Sequence, residues 1–82
     1  MKKLELYYFK SCPYCRKVMS YIKENGLQSK IVLHNTVEDA AAEARLVEMN
    51  GDDQVPCLVI DGKPMLESED IIEWLGKNAL SI

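Results

Sequence analysis

Cys12 and Cys15 are separated only by Pro13 and Tyr14, and two thiols at that spacing suit either thiol–disulfide exchange or half of a metal site. Pro13 fits the first position of a helix, where its missing N–H goes unneeded and its fixed φ is already helical. A cysteine just ahead of a helix meets unpaired backbone N–H groups and the positive end of the helix dipole, both of which favour a thiolate. Lys10, Arg16 and Lys17 crowd positive charge around the pair. These features predict Cys12 as the nucleophile and Cys15, inside the first turn, as the thiol that resolves a mixed disulfide formed at Cys12. The metal alternative has candidates, since Cys57 and His34 bring the nominal set to three cysteines and one histidine. Zinc knuckles usually hold cysteines on irregular loops in close pairs, whereas Cys57 and His34 are single residues on predicted strands. Redox chemistry is therefore the favoured reading, and no metal is expected. Cys57 then reads as a small buried hydrophobe, and His34 as a strand-end residue with a satisfied ring.

The elements that must hold the pair follow from the spacing of apolar residues. Leu4 to Phe9 is a short apolar and aromatic run suited to a strand buried on both faces. After Pro13, the residues Val18, Met19, Tyr21 and Ile22 mark one face of a helix of about three turns, and Asn25-Gly26 stops it. Lys30 to His34 predicts a second strand. Thr36 is the expected N-cap of a second helix, with Glu38 and Asp39 in its first turn. The run Ala40 to Ala42 supplies helix propensity, Leu46, Val47 and Met49 supply the apolar contribution, and Asn50-Gly51 ends the helix. A polar stretch, Asp52-Asp53-Gln54, leads to Val55-Pro56. Cys57 to Ile60 then predicts a third strand, Asp61-Gly62 a hairpin turn, and Lys63 to Leu66 a fourth strand. Pro64 confines that strand to an edge or to a pairing that does without its N–H. Ser68 is the expected cap of a last helix, with Ile71, Ile72, Trp74 and Leu75 as its buried stripe. The order β-α-β-α-β-β-α implies an α/β fold of thioredoxin-like type, a central four-stranded mixed sheet flanked by three helices.

Size and charge narrow the chemistry further. A chain of 82 residues leaves room for one small domain, here residues 1–82. Thirteen acids against ten bases give a net charge of -3, the wrong sign for a protein whose main partner is a phosphate backbone, so no nucleic acid is expected. The longest apolar runs are about four residues against the roughly 20 that a membrane helix needs, so no membrane partner is expected. Lys2 and Lys3 are not followed by an apolar stretch, so no signal peptide is expected. An odd count of three cysteines cannot form a fully paired disulfide framework and points to a reducing compartment, so a cytoplasmic location is expected. The charge is also unevenly placed: residues 1–41 hold seven bases and four acids, and residues 42–82 hold three bases and nine acids.

Taken together, Cys12-Pro13-Tyr14-Cys15 between strand and helix, Val55-Pro56 about forty residues on, the Asp61-Gly62 hairpin and the terminal helix resemble a dithiol glutaredoxin across nearly the whole chain. The resemblance implies a glutathione-dependent thiol–disulfide oxidoreductase, with glutathione as co-substrate and disulfide-bearing or glutathionylated proteins as partners, acting as a monomer. It implies that Pro56 is cis and lies beside Cys12, and that the Val55 backbone pairs with the cysteinyl part of glutathione like an added strand. Tyr14 matches the tyrosine flanking the glutathione groove, and Ser68 and Glu69 match the start of the last helix, where the γ-glutamyl carboxylate docks. Lys10 and Gln54 complete the implied glutathione-binding set.

The chain departs from the glutaredoxin pattern at three places. Two glycines commonly precede the last helix, and this chain has Leu66-Glu67; Leu66-Glu67-Ser68 is more similar to the Glu-Ser pair in the thioredoxin-like domain of glutathione transferases. The lysine usual three residues before the first cysteine is displaced to Lys10. Asp52-Asp53-Gln54 stands where a basic or threonine-rich stretch helps hold the glycine carboxylate, which leaves Gln54 or Arg45 to compensate. Three other readings stay open: a small redoxin reduced by a thioredoxin-reductase-type flavoprotein, a module holding zinc or an iron–sulfur cluster, and a non-catalytic glutathione-binding domain.

Overall fold

The structure, a computed structural model, describes residues 3–78. In chain order the elements are β1 (Leu4–Tyr8), α1 (Pro13–Glu24), a 3-10 turn (Gln28–Lys30), β2 (Val32–Asn35), α2 (Ala40–Asn50), β3 (Cys57–Ile60), β4 (Lys63–Met65) and α3 (Ser68–Asn78). The sheet order is β2-β1-β3-β4. β1 runs parallel to β2 and antiparallel to β3, and β3 runs antiparallel to β4. This is the thioredoxin-like fold, with a four-stranded mixed sheet and three helices.

Alternation along the central strands divides the core in two, because successive strand side chains point to opposite faces. Leu4, Leu6 and Leu58 pack with Val18 and Ile22 of α1 and with Ile71 and Leu75 of α3. On the other face Tyr7, Cys57 and Val59 pack with Ala42 and Leu46 of α2. Each fully buried leucine or isoleucine here contributes about 1.5–3 kcal/mol of transfer free energy. The apolar stripe expected of α3 is graded: Ile71 and Leu75 are buried, while Ile72 and Trp74 are half-buried at its flank. In α2 only Leu46 of the three apolar residues named from the sequence is buried, and Val47 and Met49 are exposed.

Two caps differ from expectation. Thr36 does not cap α2; it is buried, and its hydroxyl donates to the Tyr8 carbonyl at 3.4 Å. Asn35 instead accepts from the amides of Val37 and Glu38, closing a turn, and Asp39 caps the helix by accepting from the amides of Ala41 and Ala42 at 3.0 and 3.2 Å. Ser68 is likewise the first residue of α3 and not its cap. The Glu67 carbonyl accepts from the Ile71 amide at 3.0 Å, and Glu67 itself has φ +74°. β2 begins two residues later than the sequence suggests because Lys30 is drawn into the 3-10 turn, its amide donating to the Leu27 carbonyl at 3.0 Å. The hairpin is as expected, with φ +49° at Asp61 and +87° at Gly62, both positive as a type I′ turn requires.

Candidate functional site

The C-terminal end of β1 delivers the chain into a tight turn, Lys10-Ser11, closed by the Cys12 amide donating to the Phe9 carbonyl at 3.3 Å. Pro13 opens α1 at its first helical position, which leaves Cys12 as N-cap with an extended backbone. A capping side chain normally accepts from an amide two or three residues ahead. Here the acceptor is sulfur: the Cys15 amide donates to Cys12 Sγ at 3.3 Å. The contact aims a polar N–H at the sulfur that would carry charge in exchange chemistry.

The two thiols occupy unlike surroundings. Cys12 keeps 6% of its surface exposed and Cys15 keeps none. Burial, reinforced by the neighbouring Cys12 sulfur, pushes the Cys15 thiol up to about 12. All three cysteines are free thiols. Cys57 is also fully buried, its sulfur near the Asn50 side-chain amide at 3.5 Å, and burial raises its pKa as well.

A groove of about 650 Å³ reaches the start of α1 at Tyr14, next in chain to Pro13, and is lined by Tyr14, Gln54, Val55, Pro56, Glu67, Ser68, Glu69 and Asp70, with neither Cys12 nor Cys15 in the lining. Three separate segments meet there: the start of α1, the loop before β3 and the start of α3. The Val55-Pro56 bond is cis. Six of the residues named from the sequence therefore line one cavity: Tyr14, Gln54, Val55, Pro56, Ser68 and Glu69. Lys10 lies elsewhere, lining a separate depression with Phe9, Ser11, Asn35, Val37 and Glu38. Arg45 is also remote from the groove, its Nε donating to the Tyr7 hydroxyl at 3.3 Å on the α2 side of the sheet. Glu69 pairs with Lys17 across the α1–α3 contact, and the Gln54 side-chain amide donates to Glu67 Oε1 at 3.4 Å.

Glu67 is the lining residue whose place the sequence shows least directly. Its signal was positional, since it stands where the glutaredoxin pattern has glycine, and its positive φ is a conformation that glycine adopts freely. His34 is satisfied as expected, with Nε2 3.0 Å from Glu5 Oε1 and its ring stacked on Tyr7 at 4.8 Å. Among the described residues no three His, Cys, Asp or Glu side chains are arranged to hold a metal ion, and no helix is long and apolar enough to cross a membrane.

A sequence-family profile described as "Glutathione S-transferase, N-terminal domain" matches residues 6–80. The chain belongs to that family. Among solved structures this glutathione S-transferase N-terminal domain is similar to the thioredoxin-like protein BC3987, at 31% identity over 92% of this chain and 97% of that one, with TM-score 0.73. It is similar to a glutathione transferase family member from Pseudomonas fluorescens Pf-5, solved with bound glutathione, at 28% identity over 93% of this chain and 38% of that one, with TM-score 0.78. It also shares its fold with oxidized glutaredoxin 2 from Chlamydomonas reinhardtii, at 22% identity over 98% of this chain and 77% of that one, with TM-score 0.68. The chain thus spans little more than a third of the Pseudomonas transferase and nearly the full length of BC3987. A search of curated proteins returned no match.

Proposed function

We propose that residues 1–82 act as a single dithiol glutaredoxin-like domain, a glutathione-dependent thiol–disulfide oxidoreductase of the cytoplasm working through Cys12 and Cys15 as a monomer without a metal. The observation that carries this reading is the inequality of the two cysteines at the start of α1: Cys12 is the N-cap, keeps 6% of its surface exposed and accepts an amide hydrogen, and Cys15 is sealed and held protonated. In the proposed reaction the Cys12 thiolate attacks one sulfur of a protein disulfide or glutathione mixed disulfide, and the other sulfur leaves as thiolate. The Cys15 thiol gives its proton to the departing thiolate and attacks Cys12 Sγ, which frees the remaining half as a thiolate that takes a proton from water and leaves a Cys12–Cys15 disulfide. Two molecules of glutathione then reduce that pair and depart as glutathione disulfide. The groove beside Tyr14 and Pro56 would receive the substrate half attached to Cys12, with the Val55 backbone, Gln54 and the start of α3 at Ser68 and Glu69 as its contacts, and Lys10 as an outlying charge.

Single variants test the assignment. With a glutathione mixed disulfide as substrate and glutathione as reductant, Cys12→Ser should lower kcat/KM by at least about 10²-fold, while Cys15→Ser should keep most of the activity because a second glutathione resolves the intermediate. Equal loss in both variants overturns the roles. A flavoprotein reductase as electron donor is the second reading, favoured by the lack of any lysine or arginine among the residues lining the groove. Steady-state rates with each donor separate the two.

A further inference from the structure

The groove has an unusual charge balance for a site that would hold an anionic tripeptide. Its eight lining residues include three carboxylates, Glu67, Glu69 and Asp70, and no lysine, arginine or histidine. Among the described residues Glu69 has a cationic partner, Lys17, which lies outside the lining. None of the ion pairs among the described residues reaches Glu67 or Asp70. The rim adds to the same sign. Asp52 Oδ1 accepts from the Gln54 amide at 3.0 Å, which fixes a fourth carboxylate one turn of chain from the lining. Next to it Asp53 faces Glu43, whose carboxyl is raised by burial and by that neighbour.

The opposing contribution is the α3 N-terminus at Ser68, which carries about +0.5 of a charge. Its first turn holds Glu69, which Lys17 offsets, and Asp70, whose full charge outweighs the half charge of the helix end. A concave site lined by one sign of charge concentrates counter-ions of the other sign, and a ligand charge inside it is screened little when it lies closer to the carboxylates than the Debye length of about 8 Å at physiological salt. Glutathione offers such a groove one ammonium and two carboxylates, and neither carboxylate finds a cationic side chain in the lining.

We infer that the groove selects disulfides that carry a positive charge beside the sulfur bonded to Cys12, as in a protein cysteine flanked by lysine or arginine. The inference rests on the exchange reaction proposed above and names its substrate class. The covalent steps are unchanged: Cys12 bonds to the sulfur of the basic segment, the other half leaves as thiolate and takes the Cys15 proton, and Cys15 then releases the basic segment as a thiolate that water protonates. The charge acts on binding and orientation of the segment in the groove.

The test uses three cysteine peptides of identical length with lysine, glutamine or glutamate on both sides of the cysteine, each as a mixed disulfide with 2-mercaptoethanol. Reduction by the pre-reduced protein is followed in single turnover, and each rate is divided by the rate of the same disulfide with dithiothreitol, which removes the effect of flanking charge on intrinsic thiol reactivity. The lysine peptide should react on the order of tenfold faster than the glutamate peptide at low salt, with glutamine between them. At 0.5 M salt the ratio should shrink to about threefold or less. Asp70→Asn combined with Glu67→Gln should narrow the low-salt ratio; if that variant fails to fold, the salt series on the unaltered protein carries the test. Cystamine, a small dicationic disulfide, separates two sources of the same charge: a rate matching the lysine peptide assigns small cationic thiols as well as proteins, and a lower one assigns proteins alone. Equal normalised rates for the three peptides overturn the inference and leave the exchange reaction standing. No reduction of any of them by the unaltered protein overturns the exchange reaction and the inference with it.

Discussion

Ionising Cys15 would place a thiolate in a fully buried position against the Cys12 sulfur, and this gives the reduced protein a pH dependence of known sign. The folded value near 12 lies above the ordinary 9.0, so the unfolded chain releases this proton first. Stability from Cys15 should be whole below pH 9 and should decline as pH rises toward 12. Unfolding of the reduced protein by urea, followed across that range, should show the decline, and Cys15→Ala should make it shallower, with the buried Cys57 contributing in the same direction. Glu67 makes a second residue-scale case. A non-glycine residue at φ +74° holds conformational strain of about 1 kcal/mol or more, which glycine relieves and alanine does not. Glu67→Gly should therefore be more stable than Glu67→Ala by about 1 kcal/mol in thermal or urea unfolding. A reversed order would show that the positive φ costs alanine little here, since both variants lack the contact to Gln54.

Among the elements, α2 shows where a local pattern stops being enough. Asn35, Thr36 and Asp39 all have side chains that can cap a helix, and composition does not rank them. The ranking comes from tertiary structure: β2 pairs with β1 through Asn35, and this carries Thr36 under the Tyr8 carbonyl and frees Asp39 for the cap. Asp39→Ala should cost about 1 kcal/mol in urea unfolding, a loss that the local sequence pattern assigns to Thr36. Central strands, the proline-started α1 and the Asp61-Gly62 hairpin were legible because each signal is local. The pair Tyr7–His34 was not, since a parallel register between β1 and β2 brings them together. The groove falls between these cases. Tyr14, Val55, Pro56, Ser68 and Glu69 could be named from motif resemblance, but the position of Lys10 outside it depends on a turn closed by the Phe9 carbonyl, which residue spacing does not express.

Across the molecule, the two inner strands carry both faces of the core. β1 and β3 are hydrogen-bonded on both sides, and β2 and β4 on one side only. In amide hydrogen exchange, β1 and β3 should exchange slowest, reporting the highest opening free energies; equal protection at β2 would contradict this order. The sheet also has two chemically distinct ends. Tyr8 leads toward the cysteine pair, and Cys57, its antiparallel neighbour's first residue, follows the groove's Pro56. At the far end Leu4 lies opposite Ile60, and Lys3 and Asp61 are tied by their backbones and by the Lys3 amide donating to Asp61 Oδ1 at 2.7 Å. That clasp makes the β3–β4 hairpin a natural handle. A fluorophore or a surface linker placed at Lys63, which is exposed on β4, sits a full strand length from the groove, so the domain can be immobilised there with its reactive end turned toward solution.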